Sequence, residues 1–301
     1  MIHKMQVMCN TRRLDNAGKG GYNDSTAGTE FAVNLGTKNA LKRKILHTEP
    51  FDRVVAFVPE TTETEPTRKF KADWRNENFR RSSLTWVSLF FLAIVYPLGT
   101  LLTTDDPIKM LESLDDTLRL ILFVSTIVIQ WFIFLLIFGT TFRENTGLAG
   151  LGFKRIRLVD FFWAFAFLAA SNLILSGLAL LLAELGMPML GEIKFLIPQD
   201  TTGRIVWFFL SLTAGICEET AFRGYLMTRL RLIGGFQNWV LPTIISAVVF
   251  GACHAYQGIP GLIIISVYGA LFSLMFIYTR TIWPVIIAHF FQDFMALFFP
   301  Q

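Results

Sequence analysis

Leu120 to Phe138 reads LILFVSTIVIQWFIFLLIF, a run without a single charge. A strand crossing a membrane would be about ten residues long and alternate in polarity. This run is nearly twice that length and does not alternate. Lipid offers no partner to backbone N–H and C=O groups, and a helix satisfies them all within itself. The segment is therefore expected to be a transmembrane helix, and it sets the pattern for its neighbours.

Further apolar segments fall at about 86–103, 160–185, 204–227, 239–256, 261–279 and 282–299, with this one spanning about 117–141. Most approach the roughly 20 residues that cross a bilayer as a helix. Seven spans are expected, with eight as the alternative count. Hydrophobic content of 53%, 30 Phe and a mean hydropathy of +0.49 exclude a soluble composition. The predicted fold is an all-α, polytopic transmembrane helical bundle over residues 85–301, behind a polar N-terminal tail, residues 1–84.

The tail is rich in Thr, Asn, Lys, Arg and Glu without a sustained apolar period, a composition expected to stay mostly disordered. The short run Val54 to Val58 is either a transient strand, a partner-binding segment or neither. No signal peptide is visible, so the first span is expected to act as the insertion signal.

Orientation follows from Lys and Arg near the segment ends. Lys69, Lys71, Arg75, Arg80 and Arg81 precede the first span, the next loop is acidic, and Arg143, Lys154, Arg155 and Arg157 follow the second. This alternation predicts a cytoplasmic N-terminus. Arg229 and Arg231 would then mark the end of the fourth span as cytoplasmic, and the composition suggests a bacterial inner (plasma) membrane. A net charge of +4, with its basic residues gathered at membrane edges, does not point to nucleic acid. The expected partners are the lipid bilayer and a protein or peptide substrate.

Against that apolar background, ionisable residues stand out, because charges inside a bilayer are costly and face a cavity or one another. Three of the last four segments carry them: Glu218-Glu219 with Arg223, His254 four residues after Phe250, and His289 with Asp293. Only four histidines occur in the chain, and the other two lie in the tail. Residues four apart share a helix face, whereas adjacent ones diverge by about 100°. Glu219 and Arg223 are thus expected to pair, turning Glu218 aside to meet water. Asp293 is expected to fix the tautomer of His289, and His254 has no acid within a turn.

One Glu and two imidazoles suffice for hydrolysis: a base for water, donors for an oxyanion and an acid for the leaving amine. Glu218, His254 and His289 are equally the donor types of a catalytic zinc site, although the H-E-x-x-H signature is missing. Spacing does not choose between them. Cys217 and Cys253 precede Glu218 and His254 and are either redox-sensitive or small packing residues. Ser246 and Ser266 are read as hydrogen-bonding within their own helices.

In order, Glu218-Glu219-x-x-x-Arg223-Gly224, Phe250-x-x-x-His254 and His289-x-x-x-Asp293 resemble the CPBP intramembrane proteases. These comprise the CAAX prenyl protease type II (Rce1-like) and bacteriocin-processing group, also called the Abi family. The resemblance covers about residues 145–299. It implies peptide-bond hydrolysis in or at the membrane, on a prenylated CAAX-type or bacteriocin-like substrate. By the same resemblance Glu218 activates water, Glu219 and Arg223 support it, His254 positions that water or a metal, and His289 with Asp293 stabilises the oxyanion. Asp293 occupies a position where the family accepts Asn or Asp. The alternative is a non-enzymatic membrane protein using the same cluster as a proton relay, a ligand site or a partner scaffold.

Overall fold

The computed structural model describes residues 79–101, 113–189 and 197–298, and the backbone of residues 31–32 and 42–43. The chain divides into two units, Met1–Lys71 and Ala72–Gln301. In the first, β1 (Phe31–Ala32) pairs antiparallel with β2 (Lys42–Arg43), Phe31 opposite Arg43. The disorder expected of the tail, the run at 54–58 and the loop charges at 105, 106, 109 and 112 lie outside the described residues.

The second unit is a helical bundle. Its helices are α1 (Ser83–Phe90), continuing through a π-helical turn at Phe91–Val95 into α2 (Tyr96–Leu101), then α3 (Asp116–Arg143) and α4 (Leu158–Glu184). There follow α5 (Thr201–Glu219), a π-helical stretch at Thr220–Met227 and α6 (Thr228–Gly234), which form one continuous rod. The last three are α7 (Val240–Ala252), α8 (Gly258–Thr279) and α9 (Trp283–Met295).

Three of the starts have a side-chain cap. Ser82 and Thr85 form a reciprocal capping box at α1, and the carboxylates of Asp115 and Asp200 accept from the backbone N–H of Leu118 and Gly203 at α3 and α5. Such caps satisfy backbone donors that helix geometry leaves without partners.

Every expected apolar segment is helical, but the count of spans is smaller than expected. Among the described residues five helical stretches are long and apolar enough to cross a membrane: Ser83–Thr100, Asp116–Arg143, Leu158–Glu184, Thr201–Gly234 and Ala255–Thr279. α7 and α9 have 13 residues each. At about 1.5 Å per residue they reach roughly 20 Å, short of a hydrocarbon core of about 30 Å. Hydropathy alone does not reveal this, because α9 is apolar through packing inside the bundle, whereas α7 buries one face and leaves Val240, Leu241, Ile244 and Val248 exposed. Together with the lipid-facing Phe132, Phe162 and Leu173, 62%, 63% and 77% exposed, these stretches make the chain an integral membrane protein.

The π-helical stretch Thr220–Met227 lies at the centre, with all eight residues buried. Phe222, Tyr225 and Leu226 pack with Ile133, Ile137, Leu151 and Phe250 on one side, and Met227 packs with Phe272, Phe276 and Val285 on the other. Packing on both sides holds the chemistry-bearing residues from α5 to α9 on one rigid support.

Arg229 departs from expectation. It was counted as an edge charge, yet it is 1% exposed and bound to Glu144, Nε and Nη2 lying 2.9 and 2.8 Å from Oε2. Thr85 and Tyr225 donate to Oε1 of the same carboxylate, while Arg229 also donates to the Gly150 carbonyl and the Thr146 hydroxyl. Glu144 and Arg229 lie 85 residues apart, so no local spacing rule links them. A buried charge this well partnered is structural, and it leaves Arg231 alone to carry the topological signal at that end.

Candidate active site

Glu218 and Glu219 end α5, and Arg223 follows one turn later on the π-helical stretch. The expected i,i+4 pair is present: Arg223 Nη1 donates to Glu219 Oε1 at 2.9 Å, with both side chains at most 1% exposed. Arg223 Nη2 donates to the Gly269 carbonyl at 3.3 Å. The guanidinium carbon lies 4.2 Å from the ring centre of Phe250 and 5.0 Å from that of Phe272. Two aromatic faces, a carboxylate and a carbonyl thus replace the water that the cation has lost.

His289 differs from expectation. Its tautomer was assigned to Asp293, but the short contact is to Glu219: Nδ1 donates to Oε1 at 2.7 Å, whereas Nε2 lies 3.5 Å from Asp293 Oδ2 and 4.0 Å from Glu218 Oε2. One oxygen of Glu219 therefore ties Arg223 and His289 together. The ring is stacked on Phe272, centroids 5.5 Å apart. Glu219 and His289 are 70 residues apart, a pairing outside the reach of helical spacing.

His254 stands just beyond α7. Helix ends leave carbonyls without an N–H partner, and His254 Nδ1–H donates back to the Phe250 carbonyl at 3.0 Å. A carbonyl can only accept, so Nδ1 carries a proton, and in the neutral imidazole Nε2 is then the lone-pair nitrogen. The relation of Phe250 to His254 expected from spacing holds, through the carbonyl as well as the rings, whose centroids are 5.0 Å apart.

Glu218, His254, His289 and Asp293 line one cavity of about 830 Å³. Its remaining wall is mostly apolar, including Leu168, Ile265, Phe291 and Met295, with Trp207, Asn172 and Gln292 contributing polar atoms. Oε2 of Glu218 and Oε2 of Glu219 are both buried without a hydrogen-bond partner among the described residues. His254 shares the cavity but has no ion pair with the carboxylates among the described residues. Nor, among them, are any three His, Cys, Asp or Glu side chains grouped so as to hold a metal ion.

Sequence reasoning missed two contributors. Gln130 of α3 donates from Nε2 to Glu218 Oε1 at 2.6 Å, and Trp207 donates from Nε1 to the Asp293 carbonyl at 3.0 Å. An amide in the middle of a charge-free span is the signal that could have drawn attention to Gln130, since such a group seeks a partner inside a membrane. Cys217 and Cys253 are buried free thiols, in keeping with the packing alternative.

The distance between α5 and α9 is set by a glycine. A Cβ at Gly215 would stand 2.8 Å from the Ile286 carbonyl and 3.1 Å from the Phe290 N, on either side of His289. Gly215→Val is expected to force the helices apart, stretch the Glu219–His289 contact and lower turnover by about 10²-fold, the effect of misplacing a catalytic group by about an ångström. Thermal unfolding and peptide cleavage would be compared with Gly177→Ala, a position with open space around it, expected to behave as wild type. Equal activity in the two variants would contradict this role for Gly215.

Residues 200–295 match the family model described as type II CAAX prenyl endopeptidase Rce1-like. The match runs from the Asp200 cap of α5 to the last residue of α9, and so contains all six residues singled out in the sequence. Comparison with curated proteins gave no match, and neither did comparison with solved structures. Residues 200–295, which carry the three motifs and most of the cavity wall, are thus similar to the Rce1-like family.

Proposed function

We propose that the protein is an intramembrane endopeptidase in which Glu218 activates water against a peptide bond of a membrane-associated substrate. The observation that carries this reading is the division of labour between adjacent carboxylates. Glu219 is fully buried and holds Arg223 and His289 through Oε1, whereas Glu218 lines the cavity together with two imidazoles.

In this reaction Glu218 Oε2 takes a proton from water as the water oxygen bonds to the substrate carbonyl carbon. His254 Nε2, a lone-pair acceptor, orients that water. The oxyanion forms beside His289, which donates from Nε2 when that nitrogen carries a proton, with Asp293 and Glu219 stabilising the resulting charge. Collapse of the tetrahedral species breaks the C–N bond, and the proton held by Glu218 passes to the leaving amine. The products are an amine and a carboxyl terminus. A cavity with a largely apolar wall suits a substrate with a lipid or apolar flank, of which a prenylated CAAX-type end and a bacteriocin-like peptide are the two classes the family suggests.

The donor chemistry also fits a divalent cation such as zinc, held by Glu218, His254 and His289. Both imidazoles have Nδ1 occupied by a hydrogen bond and keep Nε2, the usual arrangement around a catalytic metal. As placed they are not grouped for an ion, so binding one would require these side chains to close up. When bound, such an ion would polarise the scissile carbonyl and the water. Metal content of the purified protein, with cleavage before and after a chelator, distinguishes the two versions. Undiminished cleavage by metal-free protein assigns the work to Glu218 and the imidazoles alone.

The function itself is tested by mapping peptide ends in membranes of cells expressing wild type or Glu218→Gln at matched levels. Termini found only with wild type, on one membrane or lipid-anchored protein, are the expected result. An identical set of termini, with both chains folded, would overturn the proposal and favour a relay or scaffold.

A further inference from the structure

We propose that Gln130 is a positioning residue for the reaction proposed above, on which this inference rests: it holds one oxygen of Glu218 so that the other faces the cavity. Gln130 lies on α3, outside the segment shared with the family model, and is 4% exposed. The buried residues Phe123, Gln130 and Ile137 recur every seven positions, with Ile133 and Thr140 three residues after the last two, so Gln130 lies on the seam that faces the bundle. Its Nε2 donates to Glu218 Oε1 at 2.6 Å.

The chemistry fixes the sense of this bond. An ionised carboxylate only accepts, so the amide must present its NH₂ group. Two constraints then act on Glu218: the backbone at the end of α5, and a donor on a neighbouring helix. With Oε1 held, rotation of the carboxylate is restrained and Oε2 stays on the side of His289, 4.0 Å from its Nε2. Without Gln130 the carboxylate is free to turn, and Arg223, already bound to Glu219 and the Gly269 carbonyl, makes no hydrogen bond to it among the described residues. Burying an amide in an apolar span makes sense if it meets this one partner.

The test compares wild type, Gln130→Met, which keeps the volume but removes the donor, and Gln130→Asn, which keeps the amide on a shorter stem. Gln130→Met is expected to lower kcat about 10–100-fold, the usual effect of losing an outer-shell partner. KM should stay within about twofold and the thermal midpoint should not move. Gln130→Asn should recover part of kcat. Infrared difference spectra should show a shifted carboxylate stretch in Gln130→Met that vanishes when the comparison is made in a Glu218→Gln background.

A kcat within about twofold of wild type would overturn the inference, as would a loss of kcat matched by a fallen thermal midpoint in both variants, or a carboxylate band that still shifts without Glu218. Full activity of Glu218→Gln alone would instead remove the proposed reaction, an outcome the same set of variants reports separately.

Discussion

Glu218→Gln is expected to lower cleavage by about 10²–10⁴-fold, the range lost with a general base, and to leave the fold intact. The substitution keeps volume and hydrogen-bonding capacity, and the ion pair that braces this region belongs to Glu219 and Arg223. The amide can still meet Gln130 by presenting its carbonyl, so the local geometry is conserved while the proton acceptor is gone. Turnover of a fluorogenic peptide in proteoliposomes, beside thermal unfolding, reads both effects. A variant that unfolds would show that Glu218 braces the bundle, and one that cleaves at the wild-type rate would remove the residue from the chemistry.

Arg223→Met should have the larger effect on stability. Glu219 would keep only His289 as a partner in a buried setting, and breaking a buried pair by removing one member costs about 3–5 kcal/mol. The expected result is a lowered thermal midpoint and faster proteolysis in detergent, with cleavage lost as well. Arg223→Lys should fall between, since a single ammonium cannot serve Glu219 and the Gly269 carbonyl while lying flat between Phe250 and Phe272. The informative control is Glu219→Gln combined with Arg223→Met. It removes both charges and should recover much of the stability but none of the activity, because His289 still lacks its carboxylate. A double variant no more stable than Arg223→Met would show that the charge left on Glu219 is not the cause of the loss.

The helical class was legible because lipid permits so few backbone solutions, and the site was legible because charges are rare in apolar spans. Local pairs within one turn, Glu219 with Arg223 and Phe250 with His254, could be placed from spacing alone. What spacing could not supply was contact between distant segments. His289 was assigned to Asp293, its neighbour four residues on, but the closer partner is Glu219 from another helix. Gln130 and Arg229 were misread for the same reason, one as part of an apolar run and the other as an edge charge. The short length of α9 was hidden because core and lipid are equally apolar, so hydropathy cannot tell a buried helix from a spanning one, and that of α7 because its exposed face is as apolar as a span's.

The tie between Glu144 and Arg229 bears on how the chain is assembled. Arg229 in the last turns of segment 201–234 and Glu144 just after segment 116–143 neutralise each other, and Gln130 repeats the dependence one level deeper. The motif-bearing third of the protein therefore cannot mature by itself: during synthesis α3 must already be waiting when the Arg229 helix emerges. A gene fragment limited to residues 200–295 would carry every motif residue and still yield an unfinished enzyme, one whose missing parts could be restored by coexpressing the earlier helices as a separate chain.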